Sequence, residues 1–307
     1  VVKQPFNNDS NEPTILEVLR AGEQALKEIS ASPRLDSEVL LRYVLGLSQS
    51  GLIIAFPELC PAETSERFQS LVRRRASGEP VAYILGEREF WGLSFRVTPD
   101  VLVPRPETEI IVEHAVKELR GRQTAHILDL GTGSGCIAIA CVKELQQSGC
   151  QRVSSDAVDC SATALAVARE NAARHGVADV VRFVQGFWCR EVSTLRPPYD
   201  CIVANPPYID PREQTPIELS YEPRSALFSE AGGLADTAEI MRSALPLLTP
   251  GGVLLCEVGA GKAALIEGVM APYRADFDVA YLGDLSDQDR FRVVRVTRNR
   301  QGLCQGE

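Results

Sequence analysis

Asp129-Leu130-Gly131-Thr132-Gly133-Ser134-Gly135 decides how this chain is read. The apolar run His126-Ile127-Leu128-Asp129-Leu130 before it reads as a strand, and Cys136 to Leu145 after it reads as a helix. Glycines at such a handover permit a tight turn and close backbone approach by a ligand, and the helix N-terminus favours an anionic group. A dinucleotide fingerprint needs G-x-G-x-x-G/A, and counting from Gly131 puts Cys136 at the last place. The spacing here is G-x-G-x-G instead. That form suits a nucleoside with an amino-acid tail, whose carboxylate rather than a pyrophosphate meets the helix.

Working outward, strands and helices alternate. Strands are expected at Val153–Asp159, Val180–Val184, Cys201–Ala204 and Val253–Glu257, and helices at about Ser161–His175 and Ala235–Leu248. Such alternation predicts an α/β fold, a mostly parallel, doubly wound sheet with helices on both faces. Upstream, residues 1–78 read as a small helical domain. Thr14 and Glu17 have capping-box spacing, with Ile15, Leu19, Leu26 and Ile29 near helical period behind them. A second helix is expected from Asp36 to a stop at Gly46, and a third over Ala62–Ala76 with Phe68, Leu71 and Val72 on one face. Arg73-Arg74-Arg75 at its end reads as a solvated face beside the negative end of the helix dipole, with contact to an acidic partner as the alternative. Residues 79–106 read as a linking β-hairpin, because Gly86, Gly92 and Pro99 punctuate short β-prone runs. The catalytic domain is then 107–307.

Three further features carry chemistry. Asp159 ends the second strand, 24 residues past Gly135, where a carboxylate can accept from both hydroxyls of a ribose; a helix-capping Asp is the plain alternative. Trp188, after the third strand, can stack on a base or serve as a rim aromatic. Asn205-Pro206-Pro207-Tyr208 follows the fourth strand, at the sheet edge where such folds bind ligands. A planar amide or aryl-amine nitrogen is a poor nucleophile, because its lone pair is delocalised. Methylating it requires two aimed acceptors on the NH2. The Asn205 side-chain oxygen can take one N–H and the Pro206 carbonyl the other, with the prolines restricting the backbone. Tyr208 can pack on the flat group. Beside a nucleoside with an amino-acid tail, this points to methyl transfer from S-adenosylmethionine, leaving S-adenosylhomocysteine. The product nitrogen becomes acidic, so no strong base is needed.

Composition narrows the partners. The 307 residues are 45% hydrophobic and 24% charged, ordinary for a globular chain. A net charge of −9 disfavours a protein that grips a nucleic-acid backbone. No apolar run reaches membrane-spanning length, and VVKQPFNNDSNEP at the start resembles neither a signal nor a transit peptide, so a cytoplasmic location is the expectation. Nine cysteines, none in Cys-x-x-Cys, and His114, His126 and His175 at no ligand spacing predict buried free thiols and no metal. The runner-up is an adenine-N6 DNA methyltransferase, which would flip its base into the same motif. A ribosomal RNA guanine-N2 enzyme and a non-catalytic cofactor-binding partner stand behind it.

Taken with Val101-Leu102-Val103-Pro104-Arg105-Pro106-Glu107-Thr108-Glu109, Pro80–Gly86 with Phe90 and Gly92, and Tyr221-Glu222-Pro223-Arg224-Ser225-Ala226-Leu227, these motifs resemble the HemK/PrmC family over nearly the whole length. Its members are protein-(glutamine-N5) methyltransferases of peptide chain release factors. The resemblance implies a Rossmann-like class I methyltransferase domain and a helical N-terminal domain that helps dock the release factor. By position, Gly131, Thr132, Gly133, Ser134, Gly135, Asp159 and Trp188 would hold the cofactor, with Asn205 at its edge. Asn205, Pro206, Pro207 and Tyr208 would hold the glutamine of the Gly-Gly-Gln loop. Two departures stand out. Phe187 replaces the usual acidic or polar residue before the Trp, which bears on adenine recognition, and 284–291 lacks the usual glycine of that turn.

Overall fold

A computed structural model of the chain describes residues 12–190, 192–259, 261–283 and 291–299. The expectations for the start of the chain and for the turn 284–290 lie outside the described residues. The chain divides into two compact units, 1–86 and 87–307.

The first unit is helical: α1 (Ile15–Leu26), α2 (Pro33–Leu45), α3 (Gln49–Ala55), α4 (Ala62–Ala76) and α5 (Val81–Leu85). The capping box forms as expected, with Glu17 N–H on Thr14 Oγ1 and the Glu17 carboxylate on Thr14 N–H. Helix α2 starts three residues before Asp36, because Pro33 supplies a preorganised first turn. Leu19, Leu26, Leu40, Leu41, Leu52 and Phe68 form the core of this unit. The arginine run departs from a solvated face. Arg73 and Arg74 are exposed, but Arg75 is buried and pairs with Asp36 of α2 at 2.7 Å. Phe68, Val72 and Arg75 share the helix face turned inward, since steps of three and four residues return to one side.

Where the sequence suggests a separate 79–106 linker, the structure divides that stretch. Residues 81–85 form α5, whose Ile84 packs into the helical core. The hairpin β1 (Glu87–Phe90) and β2 (Leu93–Arg96) belongs to the larger unit. Phe90 and Phe95 are buried in its core, and Arg96 exchanges two backbone bonds with the side chain of Asn171.

That unit continues through α6 (Glu109–Leu119), β3 (Thr124–Leu130), α7 (Cys136–Gln147), β4 (Arg152–Asp159), α8 (Ala162–Arg174), β5 (Val181–Gln185) and β6 (Tyr199–Ala204). A distorted turn α9 (Glu230–Gly233), α10 (Ala235–Ala244), β7 (Leu248–Glu257), α11 (Ala263–Met270), β8 (Phe277–Gly283) and β9 (Phe291–Arg298) complete it. The seven strands run in the order β5-β4-β3-β6-β7-β9-β8. The first five are mutually parallel, and β9 is antiparallel to both neighbours.

Both faces of the sheet are buried, which is why its strands read as near-continuous apolar runs. Ala125 and Ile127 of β3 face one core with α6 and α7, while Leu128 and Leu130 face the other with α10 and α11. Chain order leaves β3 outward to β4 and β5, then returns to β6 on the other side of β3. That reversal opens a crevice at the carboxyl ends of β3 and β6. Leu130 is in register with Ala204, so the next residues, Gly131 and Asn205, emerge side by side. Among the described residues, no single helix is long and apolar enough to cross a membrane.

Candidate active site

The glycine loop is held by carboxylates. Asp129, fully buried at the end of β3, accepts from Thr132 Oγ1 at 2.6 Å and Ala138 N–H at 3.2 Å through one oxygen. Its other oxygen is buried with no hydrogen-bond partner. Burial lifts its pKa to about 7, against the two hydrogen bonds. Asp159, at the end of β4, accepts from Gly133 N–H and Ser161 N–H, each at 2.9 Å. Burial likewise raises it from the ordinary aspartate value, and those backbone donors oppose the rise. Asn171 donates to the Ser134 carbonyl at 2.9 Å. The loop is therefore fixed before any ligand arrives.

Around it lies a cleft of about 970 Å³, including its open mouth. Gly131, Thr132, Gly133, Ser134, Asp159, Trp188, Asn205 and Pro207 all border it. The remaining residues expected there are placed differently. Gly135 sits behind the loop, where a Cβ would meet Ile139 and Ala168, so its role is to pack α7 closely on α8. Pro206 is buried, and Tyr208 borders an adjoining pocket of about 420 Å³ with Leu102, Ile209, Leu219 and Leu227. Asn205 lines both cavities.

The ring of Trp188 lies against Gly131 and donates from Nε1 to Asp236 at 3.0 Å. Asp236 is in turn held by the Ser229 hydroxyl. Phe187 meets Trp188 edge-on at 5.5 Å, and the Arg190 guanidinium stands over its ring. Carboxylates at positions 100, 159 and 236 border the cleft, and the one bordering cation among the described residues, Arg105, is paired with the buried Glu222. This balance suits a ribose and a cationic centre, and opposes a pyrophosphate.

Asn205 is oriented by its back. Its Nδ2 donates to Thr108 Oγ1 at 3.0 Å, and Thr108 donates to Glu257 at 2.7 Å. Tyr208 donates to the other Glu257 oxygen at 3.2 Å. No described residue donates to Asn205 Oδ1 or to the Pro206 carbonyl. Asn205 Oδ1, on a residue at the boundary of the two cavities, is thus open to a ligand, whereas Pro206 is buried and lines neither of them. Lys262 donates to the carbonyls of Tyr208 and Gly232 at 2.5 and 2.8 Å, tying the 205–208 loop to the turn before α10.

Sequence reasoning missed Thr108, Glu257, Asp129, Asp236 and Lys262 as parts of this assembly. Thr108 stands inside the 101–109 run and Glu222 inside the 221–227 run, and the structure joins those runs. Glu222 accepts from Val103 N–H at 3.0 Å and from Arg105. Of the eight described cysteines, all free, only Cys160 is exposed, because it stands at the cleft mouth after β4.

A family model described as the PrmC N-terminal domain matches residues 17–86, and one described as the methyltransferase small domain matches 106–223. The chain is 39% identical over 285 residues to the release factor glutamine methyltransferase of Coxiella burnetii, covering 92% of this chain and 99% of that one. The proteins of the same name in Nitratidesulfovibrio vulgaris and Bordetella pertussis are 39% and 42% identical, over 92% and 78% of this chain and 95% and 87% of theirs. Among solved structures, the hMettl16 catalytic domain in complex with MAT2A 3′UTR hairpin 6 matches with a TM-score of 0.53 at 18% identity, over 75% of this chain and 82% of that one. That likeness concerns the fold.

Proposed function

This chain belongs to the release factor glutamine methyltransferase family, and from that premise we propose that it methylates the side-chain amide nitrogen (N5) of the glutamine in the Gly-Gly-Gln motif of a peptide chain release factor. The observation that carries the reading is Asn205, standing between a nucleoside-sized cleft and a smaller pocket with its Oδ1 unengaged. Bound in the larger cleft, S-adenosylmethionine would supply an electrophilic methyl group and leave as S-adenosylhomocysteine. Asp159 suits its ribose, Gly131–Ser134 its amino-acid tail, and Trp188 with Phe187 its base.

The chain's own part is positioning. Asn205 Oδ1 and the Pro206 carbonyl accept the two N–H bonds of the glutamine amide. Both acceptors hold the NH2 plane still and draw electron density onto the nitrogen, which faces the larger cleft. Tyr208, Leu102 and Leu219 exclude water from the amide's flanks. Preorganised positioning of this kind accounts for large rate gains without a strong base. The proton leaves to solvent once the nitrogen is alkylated. The helical unit 1–86 is assigned to docking the body of the release factor. Relatives about 40% identical that carry the glutamine-methyltransferase name favour an amide over adenine as the acceptor.

The test is acceptor choice. Purified protein with methyl-labelled S-adenosylmethionine is offered a release factor, the same factor with its motif glutamine replaced by alanine, and duplex DNA. Label on the first alone, mapped to the glutamine by mass spectrometry, is the expected result. Label on DNA, or none on the release factor, would overturn it.

A further inference from the structure

Glu257 ends β7 in a fully enclosed position and receives two hydroxyls, from Thr108 and Tyr208. A hydroxyl carries one proton. Thr108 commits its proton to the carboxylate, so toward Asn205 its oxygen acts as an acceptor, and the group that must answer is the amide NH2. The 3.0 Å contact from Nδ2 is that answer. An amide has its donor and acceptor on opposite branches, so fixing Nδ2 on Thr108 sends Oδ1 to the cavity boundary. We infer that Glu257, acting through Thr108, sets the hydrogen-bond polarity of Asn205, and that both are positioning residues of the site. This rests on the reading that Oδ1 receives a substrate N–H.

The relay has a sense that simple packing lacks. With a neutral amide at 257, a gained N–H donor can turn the Thr108 hydroxyl around. Thr108 would then donate to Asn205, the Asn205 amide would reverse, and its NH2 would confront the substrate NH2. Two donors facing each other cannot hold the glutamine. The same side chain also anchors Tyr208, so the first and last residues of the Asn205–Tyr208 loop answer to one buried acceptor group.

The experiment compares Thr108→Val, Thr108→Ser and Glu257→Gln with the wild type by two readouts. Steady-state transfer to a release factor is expected to lose roughly 10- to 100-fold in kcat for Thr108→Val and Glu257→Gln, since small misplacements cost that much. Cofactor affinity is expected to change far less, by no more than about tenfold, because Thr108 borders the larger cleft but the glycine loop, Asp159 and Trp188 are left intact. Thr108→Ser, which keeps the hydroxyl, restores most of the rate. Independently of any acceptor, the Asn205 side-chain amide is followed by ¹⁵N–¹H NMR, assigned by its disappearance in Asn205→Ala. A shifted, slowly exchanging Nδ2 proton is expected in wild type and Thr108→Ser and lost in Thr108→Val. Unchanged kcat in Thr108→Val, or an Asn205 amide signal indifferent to residue 108, overturns the relay. A wild type inert toward release factors overturns the proposed function instead, while the NMR result still decides the relay.

Discussion

The indole of Trp188 closes over Gly131 so tightly that a Cβ added at 131 would lie 3.0 Å from Cζ3 and 3.4 Å from Cη2. Gly131 also holds φ at +73°, a conformation that L side chains adopt only with strain. Gly131→Ala is expected to weaken cofactor binding by about tenfold, because the added methyl must push the Trp188 ring out of its place in the cleft wall. Calorimetry with S-adenosylhomocysteine measures it, with circular dichroism to verify the fold. Wild-type affinity in the variant would contradict the packing argument.

Asp159→Asn separates shape from charge. The carboxylate accepts two backbone N–H groups and would accept ribose hydroxyls as well. An amide can turn only one acceptor toward them. Loss of about 2–3 kcal/mol, or roughly 30- to 150-fold in cofactor affinity, is expected. The same titration reads it.

Asp129 makes stability fall as pH rises. Its carboxyl titrates near 3.8 when unfolded and at about 7 when folded, because of burial. Between those values the folded chain retains a proton that the unfolded chain has released, so raising pH favours unfolding. Above about 7 the penalty is complete and constant. Asp129→Asn keeps an acceptor for Thr132 and Ala138 and cannot ionise. Thermal melts from about pH 5 to about pH 8 should show a shallower decline for the variant than for the wild type. Parallel curves would refute the assignment.

In the helical unit, Arg75→Leu should cost about 3 kcal/mol, because Asp36 is left largely buried without its guanidinium. Replacing both residues by leucine should recover part of that loss, since no unpaired charge is left, although the buried Ser30 hydroxyl loses its acceptor on Asp36. Urea denaturation of the single and double variants provides the comparison. A single variant as stable as the wild type would show the pair to be idle.

Legibility in the sequence followed the range of the interaction. The parallel sheet could be read because Ile127, Leu128, Val203 and Leu254 are apolar on both faces, a pattern local to each strand. The glycine loop and Asn205-Pro206-Pro207-Tyr208 could be read because each is contiguous. The short helix α5 was hidden, since Val81 and Ile84 have strand-like side chains and only packing into the helical core decides the matter. Helix α3 spans only seven residues, with its N-cap at Ser48 as the local cue. Arg75 looked like part of a charged surface until α2 brought Asp36 to it across 39 residues. Glu257 and Thr108 are 149 residues apart, and nothing within either segment announces the partner.

The account depends most on Asn205 acting on the acceptor amide and not on the cofactor. The most direct measurement pairs single-turnover methyl transfer to a release factor with equilibrium cofactor binding, for the wild type and Asn205→Ala. Transfer should fall by at least about 100-fold, as when an oriented polar group is removed from an active site. Cofactor affinity should remain within about tenfold, because the glycine loop and Asp159 are intact. Turnover near the wild-type rate in Asn205→Ala would contradict the mechanism.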